Sequence, residues 1–87
     1  MIKVGYTPRF TRAFNKLHPD LKQEVKEKIE LFKDLHNHKS LRVHKLEGYF
    51  KECFGFSINY KIRVVFQYLS KDQAVLLIVG DHDVYRR

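Results

Sequence analysis

Apolar and polar residues follow two periods along this chain, and the change of period divides it into elements. Ile2, Val4 and Tyr6 recur at every second position, which predicts a short edge strand. Thr7-Pro8 supplies a helix N-cap with proline at the first helical position. Phe10, Ala13, Phe14 and Leu17 follow at helical spacing, and His18-Pro19 ends that helix and begins another. In the second helix Leu21, Val25, Ile29, Phe32 and Leu35 form one stripe. Charged residues such as Lys22, Glu24, Lys26, Glu27 and Lys28 fill the remainder as a solvated face. Glu24 and Lys28 stand four apart in the orientation that favours a helical ion pair. Joined by so little chain, the two helices are expected to form an antiparallel hairpin whose apolar stripes need a cover.

A sheet provides it. His36 to Ser40 reads as a polar loop, and Arg42 to Leu46 starts a strand that Gly48 breaks. Phe54, Phe56 and Ile58 alternate with Gly55 and Ser57; Ile62, Val64, Phe66 and Tyr68 alternate with Arg63, Val65 and Gln67. Ser70 to Gln73 has turn composition, and Ala74 to Val79 is apolar on both faces, as a central strand would be. This order predicts an α+β fold: an N-terminal strand, a helix pair, then three or four strands of antiparallel meander with the helices on one face. At 87 residues the chain is expected to be one domain, residues 1–87, with no repeat, linker or low-complexity stretch. If Ile62, Val64, Phe66 and Tyr68 face the helices, Arg63 faces away, towards a candidate working surface. It is the only formal charge from Ile62 through Leu69.

Composition narrows the partners. Seventeen Lys and Arg against ten Asp and Glu leave a formal charge of +7, which favours a polyanion: RNA, DNA, an anionic membrane or an acidic protein. The apolar share of 44% and aromatic share of 14% are too high for a disordered chain. Cys53 is the only cysteine, so no intramolecular disulfide forms; it fits a reducing compartment and a buried packing role. No apolar signal follows Met1, and the longest apolar run, Ala74 to Val79, is too short for a bilayer. A cytoplasmic location without membrane contact is the expectation. Asp81-His82-Asp83 cannot place three ligands on one side of an extended strand, and His36-x-His38 lies in a loop without further ligands. No metal or other cofactor is expected.

Three segments carry a family resemblance. His44-Lys45-Leu46-Glu47-Gly48, then Tyr60-Lys61-Ile62-Arg63-Val64-Val65-Phe66, then Gly80-Asp81-His82-Asp83-Val84-Tyr85-Arg86 resemble, in order and spacing, the RelE/ParE toxin superfamily. With the two helices, the likeness covers essentially the whole chain. It implies the toxin of a type II toxin–antitoxin system, held by a cognate antitoxin. The RelE branch implies a ribosome-dependent endoribonuclease, acting on mRNA in the ribosomal A site and touching ribosomal RNA. The ParE branch implies a DNA gyrase inhibitor without catalysis, and an inactive RNA- or protein-binding module is a third reading.

Metal-free RNA cleavage needs a base for the 2′-hydroxyl, an acid for the leaving 5′-oxygen and a cation for the phosphate. Likeness to the histidine-bearing, YafQ-like branch gives His44 and His82 as the acid–base pair and Arg63 as the phosphate clamp. Tyr85 would orient or stack on a base, with Lys45, Lys51, Lys61 and Arg86 as RNA-binding residues. Some histidine-using members carry a further His and an Asp between the second and third sheet strands, where this chain has Ser57, Asn59 and Lys61.

Overall fold

The two periods become two layers in the computed structural model, which describes residues 1–48, 52–81 and 83–84. Strand β1 (Lys3–Tyr6) leads into helix α1 (Pro8–Asn15) and helix α2 (Pro19–Phe32). A 3-10 turn (Leu35–Asn37) precedes strands β2 (His44–Lys45), β3 (Phe54–Ser57), β4 (Ile62–Ser70) and β5 (Gln73–Asp81). Among the described residues the strands form one five-stranded sheet in the order β1-β5-β4-β3-β2. The four C-terminal strands are the antiparallel meander expected from their alternation. β1 is an edge strand, as its length suggested, and pairs in parallel with β5. That makes β5 internal, which explains its apolar residues on both faces.

Local chemistry sets the helix limits. Thr7 Oγ1 accepts the Phe10 N–H at 3.0 Å and donates to the Leu77 carbonyl at 2.8 Å, so one hydroxyl both caps α1 and ties it to β5. The tie falls at a β-bulge: Val65 pairs with Ile78 and Phe66 with Leu76, leaving Leu77 as the extra residue. His18 caps α2 before Pro19. That helix stops at Phe32, because Asp34 accepts the His36 N–H at 2.9 Å and turns the chain into the 3-10 segment. Leu35, read as the last residue of the stripe, therefore lies beyond the helix and is exposed. The expected Glu24–Lys28 pair also does not form among the described residues. Glu24 instead accepts from Asn59 Nδ2 at 2.9 Å, fastening the β3–β4 turn to α2.

The main core lies between the helices and the sheet. Phe10, Val25, Ile29 and Phe32 meet Phe56, Ile62, Val64, Phe66, Ala74 and Leu76. Phe32 is its centre, stacked on Phe56 at 4.6 Å and on His38 at 4.8 Å, with Phe66 edge-on at 4.7 Å. His38 Nε2 lies 2.7 Å from the Phe32 carbonyl, so this ring serves the loop and not a ligand. Phe54 and Tyr68 extend the aromatic layer towards the end of β4.

Two predictions test this core. Phe32→Ala, at a fully buried site, should cost about 3–5 kcal/mol of stability in urea unfolding, a large part of what so small a domain possesses. Burial pushes the Tyr68 phenol above its ordinary value of 10.0, so folding favours the neutral form. That contribution is complete below pH 10 and is lost as pH rises through the folded value. Tyr68→Phe should therefore lose less stability than wild type when the pH is taken above 10, as followed by thermal melting.

Candidate functional site

Sheet register decides which side chains share the face away from the helices. His44 lies opposite Gly55, Gly55 opposite Val65, and Val65 opposite Ile78. The adjacent row holds Ser57, Arg63 and Gly80. Residues one position along each strand, including Phe56, Ile62, Val64 and Val79, belong to the helix-facing core. Arg63 therefore points away from the helices, as parity required. His44 and Arg63 share that outer face with their backbones roughly 12 Å apart, from two strand spacings and two residues of rise. Lys45 pairs with the core residue Phe54 and so has the opposite parity from His44.

The outer face is not the open surface the alternation suggested. Val65 is fully buried there, in a second apolar cluster with Leu46 and Cys53, joined by Leu77, Ile78 and Val84. Cys53 has the buried packing role expected of it, and Gln67 Nε2 lies 3.5 Å from its sulfur. Val84 reaches this cluster because the chain turns back after β5, with Asp81 Oδ1 accepting the Asp83 N–H at 3.0 Å. A Cβ added at Gly80 would stand 2.8 Å from Val84 Cγ1, so glycine lets the tail lie against the strand. The polar residues are consequently displaced to the rim of an apolar patch.

At the rim, His44 is oriented by backbone. Its Nδ1 lies 2.7 Å from the Arg42 carbonyl, which can only accept. Nδ1 therefore carries the proton, and in the neutral ring Nε2 is the basic nitrogen. Arg42 presents that carbonyl from a left-handed conformation, φ 59°, uncommon outside glycine. Bonds from the Arg42 N–H to the Lys39 carbonyl and from the Val43 N–H to the His38 carbonyl hold the loop in this shape. Arg63 is half-buried, and its Nη1 donates to the carbonyls of Asn59 and Ile62, drawing the guanidinium towards the β3–β4 turn. Its Nε and Nη2 make no bond among the described residues. Lys61 is exposed on the same turn, and Lys45 is exposed on β2. His82, Tyr85, Lys51 and Arg86 lie outside the described residues. Asn59 Oδ1 accepts the N–H groups of Lys61 and Ile62 at 2.8 Å each, so it shapes the turn. The orienting role of Arg42 left no sign in the sequence pattern, because it acts through a carbonyl and a backbone angle.

No protein-family model matches the chain, and no curated protein matches it in sequence. Solved structures do. The conserved hypothetical protein HP0894 from Helicobacter pylori is 22% identical, with a TM-score of 0.73 over 95% of this chain and 97% of its own. YafQ from E. coli strain BL21(DE3) is 12% identical, with a TM-score of 0.77 over 97% of both chains. A chain of the archaeal RelE–RelB complex from Pyrococcus horikoshii OT3 is 17% identical, with a TM-score of 0.70 over 92% of this chain and 93% of its own. At these identities the likeness is one of fold: this chain shares its fold with HP0894, with YafQ and with a chain of the archaeal RelE–RelB complex.

The packing of the tail gives a direct test. Gly80→Ala should destabilise the protein by about 1–3 kcal/mol through overpacking against the half-buried Val84. Combining it with Val84→Ala should recover much of that loss in a double-mutant cycle by urea unfolding.

Proposed function

We propose that this chain is the toxin of a type II toxin–antitoxin pair and that it arrests translation by cutting mRNA on the ribosome. The observation that carries the reading is the His44–Arg42 bond, which fixes the ring and makes Nε2 its basic nitrogen on the face shared with Arg63. A gyrase inhibitor without catalysis would need the same fold but not an oriented imidazole. The fold, shared with YafQ and with a chain of the RelE–RelB complex, and the charge of +7 support the same reading.

In the proposed reaction His44 Nε2 takes the 2′-hydroxyl proton, and the resulting oxyanion attacks the adjacent phosphorus. The bond to the 5′-oxygen breaks, leaving a 2′,3′-cyclic phosphate on one fragment. Arg63 stabilises the phosphate through its Nε and Nη2, which the turn carbonyls leave available. His82 returns a proton to the leaving 5′-oxygen, and Tyr85 stacks on or orients a base. Lys45, Lys51, Lys61 and Arg86 hold RNA strands by charge. A cognate antitoxin covers this rim until the toxin is released, and the toxin acts in the cytoplasm as a single domain.

Purified protein incubated with programmed ribosomes, with transcript ends mapped, tests the proposal. Wild type should cut mRNA within the ribosome, and His44→Gln should slow cutting by about 10²–10⁴ while melting like wild type. Intact mRNA at concentrations that inhibit gyrase supercoiling would select the gyrase reading instead.

A further inference from the structure

The turn between β3 and β4, the loop before β2 and one side of α2 enclose a cleft of about 270 Å³. Three cations line it from three different segments: Lys28 of α2, Arg42 of the loop and Arg63 of β4. Lys28 and Arg63 are half-buried, whereas Arg42 is exposed. None of the three forms an ion pair among the described residues. Glu24, one helical turn from Lys28, already accepts the Asn59 amide. Like charges gathered around so small a space repel one another, and an anion seated between them relieves that repulsion. The Ser57 hydroxyl lines the same cleft and can donate to an anionic oxygen.

Tyr60 identifies the kind of anion. It lines this cleft, is 90% exposed and makes no ring contact among the described residues. A large ring held in solvent costs apolar hydration, and beside a cationic cleft it forms a platform on which a nucleobase can stack. An acidic peptide would use the cations and leave the ring bare.

We propose that this cleft binds one nucleotide of a single-stranded RNA, its phosphate among Lys28, Arg42 and Arg63 and its base on Tyr60. The inference rests on the RNA-cleaving reading and extends it by adding a holding position for a neighbouring nucleotide, with Arg63 shared between its phosphate and the one that is cut. The same Arg42 whose carbonyl orients His44 contributes its guanidinium here, so a strand anchored in the cleft passes directly onto the rim that bears the imidazole.

Binding of a short labelled single-stranded RNA, followed by fluorescence anisotropy at several salt concentrations, tests the site without requiring cleavage. Lys28→Ala/Arg42→Ala should weaken binding roughly tenfold or more and lower the slope of log affinity against log salt by about one. Tyr60→Ala should weaken binding roughly tenfold with the slope unchanged, and Tyr60→Phe should retain it. All variants should melt like wild type, since these side chains carry no core packing. No RNA binding by wild type, or wild-type affinity and slope in the variants, would overturn the proposal. So would polyglutamate displacing RNA while Tyr60→Ala binds RNA unchanged, which would mark an acidic-peptide site. Weakened RNA binding in the variants without ribosomal cleavage by wild type would sustain the cleft and reject the nuclease reading. Cleavage by wild type with unaltered binding in the variants would do the reverse.

Discussion

The centre of this sheet has to be dry on both faces, although helices reach only one of them. Val64, Val65 and Phe66 are consecutive on β4 and all fully buried, so the strand is covered above and below. Phe32 and its aromatic neighbours cover one side. Leu46, Cys53 and Val84 cover the other, brought there by the two ends of the β2–β3 connection and by the turn after β5. The elements that would bear catalytic side chains are thus the same ones that complete the second apolar cluster. Chemistry is left to the rim, where a side chain can keep an apolar neighbour on one side and water on the other.

That arrangement explains why the rim residues are held by backbone groups. Few polar side chains are available around an apolar patch, so carbonyls take over the orienting role. The Arg42 carbonyl holds the His44 ring, and the carbonyls of Asn59 and Ile62 hold the Arg63 guanidinium. Backbone acceptors fix geometry without adding negative charge, so the cationic character suited to a polyanion is kept. Arg42 adopts a left-handed conformation to provide this, at a cost of about 1 kcal/mol that the bonded loop absorbs.

Periodicity made the layers legible. The period-two runs from Ile2, Phe54 and Ile62, the Thr7-Pro8 cap and the break at His18-Pro19 each correspond to an element or boundary in the structure. The parity of Ile62 to Tyr68 alone assigns Arg63 to the face away from the helices, where it lies in the structure. The covering of that face was harder to read, since it arises from Leu46, Cys53 and Val84, three residues separated in sequence and belonging to no regular strand face. Leu35 misled because stripe periodicity continues past Phe32, whereas the Asp34 cap ends the helix there. Lys28 reads as part of a solvated helix face and Tyr60 only as the start of a family-like segment, because their place beside one cleft comes from tertiary proximity. By sequence Arg42 is only the start of a strand, since nothing in composition reports a positive φ.

The account stands on His44 Nε2 activating a ribose 2′-hydroxyl. Its most direct measurement is cleavage of a ribosome-bound mRNA carrying a single 2′-deoxy nucleotide immediately 5′ of the mapped cut. The account predicts that cutting at that bond is abolished while neighbouring sites are unaffected. Undiminished cutting at the 2′-deoxy position would show that the nucleophile is not the neighbouring hydroxyl, and would contradict it.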